Sequence, residues 1–395
     1  MNPTNLRRRF LVRSGAIAAA LASGASDSFG AAPAVDSAAS PYERLLVLVE
    51  LKGGNDGLNT VIPTADPAYA RLRPKLALKR DDLVPLSDHL AFHPSLAPLL
   101  PLWNARELAI LQGVGYPEPN LSHFRSIEIW DTASRTDEFL ADGWLARTFA
   151  RRPPPAAFAA DGVIVGSGDL GPLAGGSTRT IALADPEQFL RRSKLASAAG
   201  DRRNPALAHI LKVEADVLNA ASHLDGRHAF ATAFPPNPFG NAVRTAARVI
   251  ASDAGVAVVR LSLGGFDTHS NQLATHARLL SELAQGLVAL KSALVELGRW
   301  DRTLVATYAE FGRRPRENQS GGTDHGTASV HFALGGRVAG GLLGSTPELG
   351  RVGDGNLAHA IDFRSVYATI LERWWSIDSR DALGARHALL PMLRA

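Results

Sequence analysis

Six short apolar runs, separated by helical patterns, constrain this chain more than any other feature of it. The first, Arg44 to Leu51 (RLLVLVEL), ends in glycines, as a strand buried on both faces of an α/β sheet does. Similar runs follow at Leu108–Val114, Gly162–Val165, Thr180–Leu183, Val256–Leu263 and Thr303–Tyr308. Helical periodicity lies between them at Phe124–Ala133, Pro186–Ala198, Pro205–Ala221, Asn241–Ala251 and Gln272–Leu297. Strands alternating with helices predict an α/β fold with a mostly parallel central sheet and helices on both faces. The proline-rich Arg151–Pro155 stretch offers a place for a boundary. Apolar runs of the same character lie on both sides of it, so residues 44–395 are expected to form a single α/β domain with insertions.

The amino terminus reads as an address. Arg7-Arg8-Arg9-Phe10-Leu11-Val12 resembles a twin-arginine export signal, and a weakly apolar stretch from Ala16 to Ala22 and small residues around Ser28–Gly30 follow it. Residues 1–30 are therefore expected to be a signal peptide, with a linker at 31–43, export through the twin-arginine machinery, and a periplasmic or extracellular destination. A short basic amphipathic helix is the alternative. The four arginines of that segment against Asp27 account for +3 of the formal charge of +4, which leaves +1 for the rest. A near-neutral remainder without a basic run gives no reason to expect a nucleic acid partner. The apolar stretch is too short for a bilayer span, and no later segment supplies one.

In such a sheet, ligands sit where strands end at the carboxyl edge. Three loops there are rich in donors: Gly53-Gly54-Asn55-Asp56-Gly57, Gly264-Gly265-Phe266-Asp267-Thr268-His269, and Glu310-Phe311-Gly312-Arg313 with Gly322-Thr323-Asp324-His325-Gly326. The chain has no cysteine, so a metal here has to be held by carboxylate, imidazole or amide oxygen. Asp56, Asp267, His269, Asp324 and His325 would supply three carboxylates and two imidazoles, a set suited to one or two divalent ions such as zinc, manganese, calcium or magnesium. Each residue also has an ordinary reading. Asp56 fits a turn bonded to its own backbone, Asp267 a helix cap, and Asp324-His325-Gly326 a plain glycine turn.

A nucleophile belongs at a helix start, where backbone N–H groups favour an anion. Ser122 precedes the Phe124 helical pattern, and it suits either attack on phosphorus or sulfur or a plain N-cap. His123 beside it would donate to substrate or pack in the loop. Arg313 has the planar fork that suits a tetrahedral oxyanion, or else forms a surface ion pair with Glu310. Asn55 and Asn318 are further amide candidates for that anion. Gly166-Ser167-Gly168-Asp169-Leu170-Gly171 matches the dinucleotide fingerprint, although Pro172 stands where a helix should begin. His209, His223 and His228 do not share a helix face and are expected at the surface.

Taken together, LKGGNDGLNTVIP, GFDTH, EFGRRPREN, GTDHG and DFRSVYATILERW resemble the family known as domain of unknown function 1501, over most of the chain beyond residue 43. That family is grouped with the alkaline phosphatase and sulfatase superfamily. The resemblance implies an alkaline phosphatase-like α/β sandwich that cleaves phosphate or sulfate esters at a one-metal or two-metal centre. It implies that Asp56 and the Asp324-His325 pair share one metal and that Asp267 and His269 serve a second, for which His331 would complete the set. The superfamily commonly puts three residues between that aspartate and histidine, whereas only Thr268 stands here. The expected activity is exported, metal-dependent hydrolysis of a small-molecule or glycan ester. The competing expectations are a metal-stabilised envelope or binding protein without catalysis, and a nicotinamide oxidoreductase working through the Gly166 loop.

Overall fold

A computed structural model describes residues 40–176, 178–183, 228–252, 255–350, 352 and 355–394. The expected signal peptide, all but the last residues of the linker, the helices at Pro186–Ala198 and Pro205–Ala221, and His209 and His223 lie outside the described residues.

Fourteen strands are described: β1 Leu45–Lys52, β2 Val61–Pro63, β3 Val84–Pro85, β4 Leu90–Phe92, β5 Leu108–Gly115, β6 Ala160–Val165, β7 Thr180–Leu183, β8 Val256–Gly264, β9 Thr303–Tyr308, β10 Gly312–Arg313, β11 His325–Gly326, β12 Ser329–Leu334, β13 Gly341–Leu343 and β14 Ile361–Asp362. Nine of them make the central sheet, in the order β13-β5-β12-β9-β1-β8-β6-β7 with β14 against β5. β1 pairs in parallel with β8 and β9, and β6 in parallel with β8 and β7. Only β12 runs against its neighbours, β5 and β9. The fold is thus mixed α/β around a mostly parallel sheet, with helices on both faces.

The unbroken apolar runs follow from this two-sided cover. Along β1, Val47, Val49 and Leu51 enter one core with Leu279, Leu283 and Leu287 of the helix Gln272–Glu296. Leu46 and Leu48 enter the other with Trp130, Trp144 and Tyr367. Burying a Leu or Val side chain contributes about 1.5–3 kcal/mol, so neither face of a central strand tolerates routine polar alternation. β12 was not anticipated, because its run SVHFAL carries His331 at a core-facing position. The helices Trp144–Arg151 and Phe363–Thr369 were likewise unforeseen.

The topology decides where chemistry can gather. β1, β5, β8 and β9 all end at the same edge, and antiparallel β12 begins there. The residues following the first four and those preceding β12 therefore share one rim.

Candidate metal centre

Asp267 and His269 follow β8, Glu310 follows β9, and Ser122 and His123 follow β5 at the start of the helix His123–Thr132. His325 arrives through the antiparallel β10–β11 pair, which sets it opposite Arg313. Gly53 lets the loops close up. It sits at φ +113°, and a Cβ there would lie 2.3 Å from the Asp267 nitrogen. Phe311 stacks on the His325 ring at 4.3 Å between centroids and fixes its plane.

The three histidines at this rim share one orientation. His325 Nδ1 is 2.7 Å from the Leu121 carbonyl oxygen, His123 Nδ1 is 2.9 Å from Glu310 Oε1, and His269 Nδ1 is 3.4 Å from Asp324 Oδ1. Each Nε2 then faces the Asp267 carboxylate: His123 at 3.3 Å from Oδ2, His269 at 3.1 Å and His325 at 3.2 Å from Oδ1. His269 Nε2 and His325 Nε2 are 2.9 Å apart. A carbonyl only accepts, so His325 carries its proton on Nδ1 and turns a lone pair toward Asp267 and His269. Burial holds the His325 pKa below the ordinary histidine value, against the hydrogen bonds its charged form would give Leu121 O and Asp267, so the neutral ring prevails at pH 7.

A proton on His269 Nε2 would serve the His269–His325 contact, whereas a metal ion would serve all three atoms. Four-coordinate zinc with bonds of about 2.0–2.1 Å sets neighbouring ligand atoms roughly 3.3 Å apart. The triangle of His269 Nε2, His325 Nε2 and Asp267 Oδ1, with edges of 2.9, 3.1 and 3.2 Å, fits that spacing. His123, Asp267 and His325 likewise present ligand atoms within 4.8 Å of one another. Asp267 is charged and ready. Burial raises its pKa, but the Arg313 guanidinium, at 2.7 Å, together with His325 and His123, brings it down to about 2.

A further layer holds these side chains. Glu310 accepts from the Gly53 N–H at 2.9 Å as well as from His123, and its Oε2 is buried without a partner. Carboxylate or carbonyl oxygens on Nδ1 are the usual means of orienting metal-binding histidines. Asp324 touches His269 Nδ1 and Asn318 Nδ2, so it sits behind His269 rather than facing the Asp267 carboxylate.

Other expected site residues stand apart. Asp56 is 1% exposed, and its carboxylate is paired with Arg73 at 2.5 Å. Arg313 does not face solvent or an incoming oxyanion. Its guanidinium is spent on Asp267 and on the carbonyls of Gly53, Gly54, Phe266 and Thr323, and it staples those loops together. Asn55 is buried against Thr60 and His276, which closes it to a ligand, and Asn318 spans His269 O and Asp324. His331 lies in the core against Trp130, where burial lowers its pKa to about 3. Gly171–Leu173 is a single 3-10 turn, and Arg260 binds the Asp169 carbonyl, so the Gly166 loop lacks the helix a dinucleotide pyrophosphate requires. His228 is near the surface, 3.4 Å from Glu296.

Ser122 stays at the rim. Its backbone lies between Leu121, whose carbonyl meets His325, and His123, and its side chain makes no capping bond. Sequence reasoning did not find Arg73 or Gln272 as parts of this neighbourhood, and it gave Thr268 and Thr323 only as members of the donor-rich loops. The one signal for Gln272 was its place four residues after Thr268, to which it bonds.

A parallel-sheet α/β protein with a histidine–carboxylate cluster at the carboxyl rim of its strands is the class that fold and site define. The chain belongs to the family described as protein of unknown function (DUF1501), whose model matches residues 43–384. Among solved structures it is similar to the phosphonate monoester hydrolase SpPMH from Silicibacter pomeroyi, with TM-score 0.44, 10% identity, and coverage of 89% of this chain and 77% of that one. It is also similar to the C-terminal periplasmic domain of EcEptC from Escherichia coli in complex with Zn, with TM-score 0.36, 9% identity and coverage of 74% and 72%. A third is alkaline phosphatase from the Antarctic bacterium TAB5, with TM-score 0.32, 11% identity and coverage of 75% and 92%. Comparison with curated proteins returned no match.

Proposed function

We propose that this chain is an exported, metal-dependent hydrolase of phosphate or sulfate esters, with Ser122 as nucleophile. The observation that carries the proposal is the convergence of three Nε2 atoms on the Asp267 carboxylate, each with Nδ1 turned to an oxygen. His269, His325 and Asp267 would hold the ion, with His123 alongside. Two or three imidazoles with one carboxylate suit zinc better than calcium or magnesium, which prefer oxygen cages. When bound, such an ion lowers the pKa of a nearby hydroxyl and offsets charge on an ester oxyanion.

The protein's own residues supply the rest. Ser122 leaves the first N–H groups of its helix free of a side-chain cap, so they are open to an anionic group. Its Oγ would form a bond to phosphorus or sulfur as the ester oxygen leaves with a proton, and water would then cleave the serine ester and regenerate the hydroxyl. Glu310 keeps His123 in one tautomer, and Arg313 keeps Asp267 ionised and in place. Export is supported by the Arg7–Val12 signal grammar. Among the described residues no helix is long and apolar enough to cross a membrane.

The test is hydrolysis of aryl phosphate and aryl sulfate esters by zinc- or manganese-loaded protein. Turnover that Ser122→Ala abolishes, with ion content intact, is expected. No turnover with any divalent metal from pH 5 to pH 10 would sink the hydrolase and leave a metal-stabilised binding protein.

A further inference from the structure

We infer that Asp56 is a positioning residue rather than a metal ligand, that the Arg73 guanidinium permanently takes the place of a second cation, and that the centre therefore holds a single ion. This rests on the ion site proposed above.

The Asp56–Arg73 pair is closed on both sides. Asp56 Oδ1 accepts from the Leu58 N–H at 3.2 Å and from Arg73 Nη2 at 2.9 Å. Its Oδ2 accepts from Arg73 Nη1 and Gln272 Nε2, both at 2.5 Å. A carboxylate has about four lone-pair sites, and all are taken. Arg73 in turn directs Nε to the Pro315 carbonyl at 2.8 Å, Nη1 also to Asn59 Oδ1 at 2.8 Å, and Nη2 also to the Arg314 carbonyl at 3.0 Å. Every donor of the guanidinium is used, and Arg73 is fully buried. A metal ion entering at Asp56 would strand a buried cation that cannot lose its proton. Burial alone would raise the Asp56 pKa, but Arg73 reverses this and holds it below the ordinary value.

What Asp56 does instead follows from Gln272. With its amide N–H₂ held by Asp56, Gln272 turns Oε1 to two hydroxyls, Thr268 Oγ1 at 3.1 Å and Thr323 Oγ1 at 2.7 Å. Thr268 lies between Asp267 and His269, and Thr323 lies two residues before His325. The Thr323 N–H also donates to the Thr268 carbonyl at 3.1 Å. One amide, oriented by one buried carboxylate, thus sets the spacing of the loops that carry the His269–His325–Asp267 triangle. Arg73 adds a strut to the loop between them through Arg314 and Pro315.

The test is to strip the full chain with chelator, titrate zinc calorimetrically, and count bound ions by mass spectrometry. One ion per chain is expected, and it is retained in Asp56→Asn. Thr268→Ala should weaken zinc binding about 10–100-fold, the range for loss of a group that orients metal ligands, and Thr268→Ser should restore it. Two ions per wild-type chain, loss of the ion in folded Asp56→Asn, or unchanged affinity in Thr268→Ala would each overturn the inference. If Asp56→Asn does not fold, the wild-type count and the threonine pair still decide it. Zero ions in the wild type would overturn the metal site itself, a distinct failure.

Discussion

Gly322 packs directly against the backbone of the loop that carries Thr268 and His269. A Cβ added there would lie 2.3 Å from the Thr268 oxygen and 2.3 Å from the His269 carbonyl carbon, whereas ordinary contact begins at 3.4 Å. Both obstacles are backbone, so a side-chain rotation cannot relieve them. Gly322→Ala therefore drives the loops apart by roughly 1 Å, against the Thr323–Thr268 backbone bond and the Gln272 bridge. Because a constellation of this kind tolerates about 0.5 Å of error, the displacement exceeds what the His269–His325 spacing can absorb. We expect a stability loss of about 1–3 kcal/mol in urea denaturation and at least about a tenfold loss of zinc affinity by titration calorimetry. Gly168, which has open space around it and no left-handed backbone, is the control, and Gly168→Ala should change neither quantity. Full zinc affinity in Gly322→Ala would refute the reasoning that loop spacing sets the site.

Other substitutions probe the layers beneath. Asp131 is buried with Oδ1 unpartnered, and burial raises its pKa well above 3.8. The folded state thus holds this proton more tightly than the unfolded state, so its contribution is complete below pH 3.8 and is lost as pH rises through the folded value. Asp131→Asn should flatten that decline, and a variant that loses stability with pH as steeply as the wild type would contradict it. His276 behaves oppositely. Burial lowers its pKa from 6.5 to about 4, so stability on the order of 3 kcal/mol is present above pH 6.5 and is lost as pH falls toward 4. Thermal melts between pH 7 and pH 4.5 should show the loss, and His276→Asn should reduce it. Arg313→Lys removes the fork that serves Asp267 and four carbonyls. A cost of about 3 kcal/mol or more in denaturant unfolding is expected, and a change below 1 kcal/mol would exclude the staple role.

Much of the fold was legible because two-sided burial leaves a plain signature. β1, β5, β6, β7, β8 and β9 each occupy runs read as strands, and the rim where Asp267, His269, His123 and His325 meet follows from parallel strand ends. β12 escaped because a histidine interrupts its apolar run and because antiparallel insertion into a parallel sheet is a tertiary choice. Asp267, His269 and His325 could be singled out as candidates because glycine turns flank short donor clusters. The local bond of Asp56 to the Leu58 N–H was legible as a turn, whereas its pairing with Arg73 and Gln272, and that of Arg313 with Gly53, Gly54, Phe266 and Asp267, depend on packing between separate loops. Arg73 sits in a basic stretch that reads like surface, and only the packing of its loop against Pro315 and Asp56 buries it. Arg313 was expected to face substrate because an arginine after a strand end looks the same in sequence whether it points outward to an anion or inward to carbonyls.

The central claim is that a divalent ion belongs among His269 Nε2, His325 Nε2 and Asp267 Oδ1. The most direct measurement is a crystal structure of zinc-loaded protein, with diffraction recorded on both sides of the zinc absorption edge. A single anomalous peak about 2 Å from each of those three atoms is the predicted result. A peak beside Asp56, or none at the three-atom triangle, would contradict the account.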